Sequence, residues 1–144
     1  MKKTIIALSG TANVGKSMTL SRLGRQLQTA GGVTPDNIVG VEYRAVFAYL
    51  RINVGIQTFG DTDNVIRQGL LHFQTNSCDI IAIACKRFGA TTNRLTTFAS
   101  ANGYRLIWAA PYEVRDGSIT NDAIKSYGAS HLLNMINDVI SGSL

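Results

Sequence analysis

Short apolar runs alternate along this chain with amphipathic stretches of helical length. Thr4 to Leu8 predicts a buried strand, and the segment from about Lys16 to Gln28 predicts a helix with Leu20, Leu23 and Leu27 on one face. Gly31-Gly32 ends that helix, and Thr34-Pro35-Asp36 marks a loop. Ala45 to Leu50 and Val54 to Phe59 read as strands separated by Arg51-Ile52-Asn53. So short a connection requires an antiparallel hairpin, because a parallel crossover takes about a dozen residues or more.

A second helix is expected from about Thr62 to Thr75, with Thr62 or Asp63 as its cap and Ile66, Leu70 and Phe73 inward. Ile80 to Cys85 is apolar throughout, the signature of a strand covered on both faces of a parallel sheet. Thr91 to Asn102 reads as a helix with Leu95, Phe98 and Ala99 inward, stopped by Gly103. Tyr104 to Ala110 is a further strand, with Tyr104 and Trp108 expected in the core. A last helix runs from about Asn121 to Ile140, with Ile124, Leu132, Met135, Ile136 and Val139 on its stripe. This order predicts a three-layer α/β fold: a mostly parallel five-stranded sheet with one antiparallel hairpin, made by the second and third strands. No repeat, linker or low-complexity stretch interrupts residues 1–144, which read as a single domain.

Composition narrows this picture only a little. With 45% hydrophobic and 16% charged residues, the chain has the balance of a packed globular protein. A net charge of +5 favours anionic partners, but the basic residues are scattered, so nucleic acid is not indicated beyond that modest charge. Cys78 and Cys85 make no disulfide framework, and with His72 and His131 they make no zinc pattern. The apolar run after Lys3 is too short for a signal peptide, and no stretch approaches the ~20 residues of a membrane helix. A reduced, cytoplasmic protein without a membrane partner is expected.

The chemistry begins at the first strand-to-helix junction. Gly10-Thr11-Ala12-Asn13-Val14-Gly15-Lys16-Ser17 matches G-x-x-x-x-G-K-S without a departure. Glycines let successive main-chain N–H groups point into one concavity, and the positive end of the following helix extends it through Met18. Lys16 supplies a mobile cation for the outer phosphates, and the Ser17 hydroxyl is placed to ligate Mg²⁺. At these residues the chain resembles the P-loop NTPase superfamily, closely from Thr4 to about Gln28 and elsewhere by element order. The resemblance implies a P-loop NTPase fold, with Gly10 to Ser17 as the phosphate and Mg²⁺ site.

P-loop sites usually add a carboxylate for Mg²⁺ at the C-terminal end of a nearby strand. Asp79 precedes its strand and so lies at the wrong end, about 20 Å from the phosphates at roughly 3.3 Å per residue. Asp61 follows Val54 to Phe59 at the right end. Gly55 to Asp61 therefore looks like a diverged Walker B segment, with Gln57 and Thr58 where apolar residues are usual. The alternative makes Asp61 or Asp63 a helix cap. Thr58 is a second candidate for the water or metal shell.

The hairpin after the first helix resembles small GTPases in layout. A guanine-reading N-K-x-D would then stand where this chain has Cys85-Lys86-Arg87-Phe88. Without the carboxylate that accepts the guanine N–H groups, ATP is favoured over GTP. Lys86 and Arg87 remain candidates for base or phosphate contact, against the alternative of a solvated strand end. In the loop from Val33 to Arg44, Glu42 could act as a base and Arg44 could hold an acceptor phosphate. Asp116-Gly117 reads as a turn, Arg94 as surface, and both histidines as packed or surface residues. Three functions follow as expectations: Mg-dependent NTP hydrolysis, a small nucleoside, nucleotide or metabolite kinase, and a non-catalytic nucleotide switch read by a protein partner. The absence of an arginine-bearing lid segment weighs against the kinase.

Overall fold

A computed structural model describes residues 1–10 and 15–144. Its elements, in chain order, are β1 (Thr4–Ser9), α1 (Lys16–Thr29), β2 (Arg44–Tyr49), β3 (Ile52–Gln57), α2 (Asp63–Thr75), β4 (Cys78–Cys85), α3 (Ala90–Asn102), β5 (Arg105–Ala109) and α4 (Asn121–Ser141). The strands form one sheet in the order β2-β3-β4-β1-β5. All neighbours are parallel except β2 and β3, which form the expected antiparallel hairpin. The chain is thus α/β, with a mostly parallel five-stranded sheet.

The apolar run of β4 is explained by its place. It is the central strand, and alternate residues feed two cores. Ile80, Ala82 and Ala84 join Ile6 and Leu8 of β1 under Leu20, Leu23 and Leu27 of α1 and Leu132, Ile136 and Val139 of α4. Ile81, Ile83 and Cys85 join Ile5 and Ala7 against Ile66, Leu70 and Phe73 of α2 and Leu95 and Ala99 of α3. Side chains of a strand point alternately to opposite faces, so an uninterrupted apolar run suits only a strand covered on both.

Two expectations are corrected. Trp108 is not core: β5 is an edge strand, and the indole is 46% exposed. Tyr104 is buried just before β5, its hydroxyl donating to Cys78 O at 2.6 Å. The hairpin connection is Leu50-Arg51 alone, since Tyr49 already pairs with Ile52. Both turn residues have positive φ, 48° and 70°. A two-residue hairpin needs that left-handed backbone to match the strand twist, and side chains other than glycine adopt it at a cost. Asn or Gly, the usual signal for such a turn, is absent, which is why the turn was not legible.

Because β1, β3, β4 and β5 run in one direction, their C-terminal ends share one edge of the sheet. Open α/β sheets bind ligands at that edge. Among the described residues, no helix is long and apolar enough to cross a membrane.

Candidate functional site

The site is built where β1 hands over to α1. Thr11, Ala12, Asn13 and Val14 lie outside the described residues, so its framework is defined by Gly10 on one side and Gly15 on the other. Gly10 donates its N–H to Cys85 O at the end of β4, 3.3 Å away. Gly15 caps α1 with a left-handed backbone, φ 86° and ψ 23°, which glycine adopts without penalty. The first turn of α1 has no side-chain cap and no acidic residue, leaving the positive end of the helix unopposed from within the helix.

Lys16 turns inward and is 7% exposed. Its Nζ donates to Gly10 O and Cys85 O, each at 3.0 Å, and lies 3.7 Å from Asp61 Oδ1. Two main-chain carbonyls thus take hydrogen bonds from the ammonium, and the Asp61 carboxylate stands beyond hydrogen-bond distance as an ion-pair partner. Asp61 itself is 67% exposed, so its carboxylate keeps open lone pairs. Ser17 Oγ donates to Thr58 O at 2.7 Å, which ties the start of α1 to the end of β3. Thr58 is held in turn by Tyr43, whose N–H donates to its Oγ1 at 2.9 Å. The Tyr43 hydroxyl donates to Ser21 O of α1, and burial pushes its pKa up to about 12.

These residues surround a cleft of about 390 Å³. Gly15, Lys16, Ser17 and Met18 line one wall; Thr58 to Asp61, with Glu42, line the other. Strand order makes this proximity less obvious than it was in the sequence, because β4 separates β3 from β1. The residue that closes the gap is Gly60. A Cβ there would lie 1.8 Å from Ala84 O, so only a glycine lets the chain leaving β3 pass directly against the end of β4. Asp61 then falls within reach of Lys16. In the sequence Gly60 is only one residue of the Gly55 to Asp61 segment, although a glycine at a strand end is a signal for close backbone approach.

Asp61 is not the helix cap. Thr62 caps α2, its Oγ1 accepting from the Val65 N–H. Asp63 forms a two-pronged pair with Arg94 of α3, at 2.8 and 3.0 Å. The Arg94 hydrogen bond holds the Asp63 carboxyl below its ordinary pKa. Arg94, expected at the surface, is partly exposed there and links two helices. Asp79 stands near the start of β4, at the far edge of the sheet.

Lys86 and Arg87 are exposed past the end of β4. Arg87 lines a second cleft of about 310 Å³ with Gly10, Glu113 and Arg115, while the Lys86 main-chain N–H donates to Thr91 Oγ1. Arg44 does not face the main cleft: its Nε donates to Gln57 Oε1 at 2.6 Å and its guanidinium lies over Phe59. His131 pairs through Nδ1 with the Tyr112 hydroxyl at 2.6 Å, and His72 is exposed on α2.

Among the described residues, no three His, Cys, Asp or Glu side chains converge on a metal position. The side chains with hard oxygen donors that line the cleft are Ser17, Glu42, Thr58 and Asp61. Such a set suits Mg²⁺, which binds through one or two protein oxygens and completes its shell with phosphate and water. Comparison of the chain with protein-family models, curated proteins and solved structures finds no match.

Proposed function

We propose that the chain is a P-loop NTP-binding protein, one domain with that superfamily's three-layer fold, that binds Mg-ATP and hydrolyses it. The observation that carries this reading is the meeting of Lys16, Ser17 and Asp61 in one cleft, with Lys16 Nζ 3.7 Å from Asp61, directly after a sequence matching G-x-x-x-x-G-K-S. Lys16 is buried beside the loop yet held by two main-chain carbonyls, from which it can swing to a phosphate.

In this reading the main-chain amides from Gly10 to Met18 enclose the phosphates, and Lys16 draws charge from the outer one as water attacks. Ser17 and Asp61 would hold Mg²⁺, which supplies charge neutralisation at the phosphate oxygens. Glu42, on the cleft wall, is a candidate to orient the water. Arg87, beside Gly10, is placed to meet the nucleotide beyond the loop, with Lys86 next to it. Phe88, exposed where a guanine-binding carboxylate would stand, favours adenine. The setting is the reducing cytoplasm, in keeping with two free, buried thiols.

One observation favours a second reading. The cleft beside Gly10 carries Arg87 and Arg115, the equipment for an anionic phosphoryl acceptor, and transfer to a nucleotide or small metabolite would use it. A single experiment separates the readings. The protein is incubated with Mg-ATP alone and then with a panel of nucleosides and nucleoside monophosphates, following phosphate release and transfer. Release without acceptor supports hydrolysis; transfer only with acceptor supports a kinase; tight binding with neither leaves a nucleotide-dependent switch. Lys16→Ala is expected to lose nucleotide binding by about a hundredfold while keeping its circular dichroism spectrum, as one charge-assisted contact is removed. Unchanged affinity in that variant overturns the proposal.

A further inference from the structure

The strand that leads into the second wall of the cleft ends on a buried glutamine. Gln57, the last residue of β3, has no exposed surface. Its Nε2 donates to Phe59 O at 3.0 Å and to Val65 O at 3.3 Å, and its Oε1 accepts from Arg44 Nε at 2.6 Å. A guanidinium can only donate, so Arg44 faces the oxygen and turns the NH₂ group toward the two carbonyls. Arg44 itself lies over the Phe59 ring, 5.6 Å from its centre. Helix α2 leaves room for the amide with a glycine, since a Cβ on Gly69 would lie 2.1 Å from Gln57 Oε1. A helix interior otherwise disfavours glycine.

Asp61 lies between the two carbonyls that Gln57 holds. Phe59 comes two residues before it and Val65 four after, so one amide pins both ends of the stretch that crosses from β3 into α2. The Asp61 side chain is 67% exposed and is not fixed by packing around itself. Its place is set by main chain: Gly60 rests against Ala84 O, and the ends of the stretch rest on Gln57. Pinning both ends of a short stretch removes most of the backbone freedom of its middle residue. A methionine would pack β3 on α2 without taking an amide out of water. What the amide adds to packing is the hold on Phe59 and Val65.

We infer that Gln57 is a positioning residue, which sets the Asp61 carboxylate for Mg²⁺ by holding Phe59 O and Val65 O, with Arg44 fixing the direction of its amide. The inference rests on the nucleotide reading above, and within it on Asp61 as a metal-binding group. Gln57 lies against α2, apart from the residues that line the cleft, so it acts through Asp61 and touches neither nucleotide nor metal.

The test is calorimetric titration of ATP in excess Mg²⁺ and in EDTA, on wild type, Gln57→Met, Asp61→Asn and the double variant, alongside thermal melting of each. The ratio of the two affinities isolates what the metal adds. Gln57→Met is expected to cut that ratio about tenfold, while ATP affinity in EDTA changes by less than about twofold, since the loop and Lys16 supply it. Asp61→Asn is expected to cut the ratio at least as far, and the double variant no further than Asp61→Asn. An unchanged ratio in Gln57→Met overturns the inference and leaves the nucleotide reading standing; a lowered melting temperature beside it makes the amide a packing pin. Losses that add in the double variant overturn it too, because Gln57 then acts apart from Asp61. Equal wild-type affinity in Mg²⁺ and EDTA overturns the inference alone, and a wild type that binds ATP in neither overturns both. Should Gln57→Met fail to fold, Arg44→Met at its half-buried position carries the same test: the ratio is expected to fall about threefold or more, and no change refutes the inference.

Discussion

Lys16, Asp61 and Gly60 show how little separates a motif from a site. Lys16 is brought to the end of β4 by two carbonyls, and Asp61 reaches it only because Gly60 has no side chain. Replacing Gly60 by Ala pushes a methyl group into Ala84 O, a main-chain atom that cannot rotate away. The variant is expected to lose roughly 1–3 kcal/mol, more than the ~0.5–1 kcal/mol that the stiffer unfolded chain returns, as read from the urea midpoint at constant slope. Nucleotide affinity is expected to fall with it, because Asp61 and Thr58 move together. A Gly60→Ala protein as stable as wild type would mean that the approach to Ala84 is not tight. The cysteines sit at the other extreme: burial pushes Cys78 up to about 12 and Cys85 up to about 11, so neither thiol is a nucleophile at neutral pH.

At the scale of elements, α2 and α3 lie on one face of the sheet and are joined by the Asp63–Arg94 pair, while α1 and α4 lie on the other, joined by hydrogen bonds from Arg22 to Asp122 and Ser126. Asp63 has a folded-state pKa below its unfolded value, chiefly through the Arg94 hydrogen bond. A depressed carboxylate contributes stability above its unfolded pKa and loses that contribution as pH falls through the folded one. Arg94→Gln is therefore expected to be less stable than wild type at pH 7 and equal to it at pH 2, by denaturant midpoints at the two pH values. A gap that persists at pH 2 would assign the effect to packing of the Arg94 stem instead. The pair bridges helices beside the site without entering it, so nucleotide affinity at pH 7 serves as the control.

For the whole molecule, the parallel strands gather the site at one edge, and a ligand there is coupled to the entire fold. At a hundredfold excess over its Kd, a ligand of the native state adds about 2.7 kcal/mol, which for a chain of this size raises Tm by about 5–10 °C. Mg-ATP is expected to produce that rise in wild type and about 1 °C in Lys16→Ala at the same nucleotide concentration, followed by calorimetry; a flat wild-type response at saturating nucleotide counts against the proposed function. Local order was legible in the sequence, because hydrophobic period, helix caps and the glycine–lysine–serine run are written in neighbouring residues. The apolar length of Ile80 to Cys85 marked β4 as buried on both faces, and the short link after β2 required a hairpin. Tertiary structure alone decided that β4 lies between β3 and β1, that Trp108 falls on an exposed edge, that Gly60 brings Asp61 to Lys16 and that Gln57 reaches the start of α2. Each of these depends on which strands become neighbours and how closely two stretches of main chain approach. Periodicity and spacing along a single chain carry no measure of either.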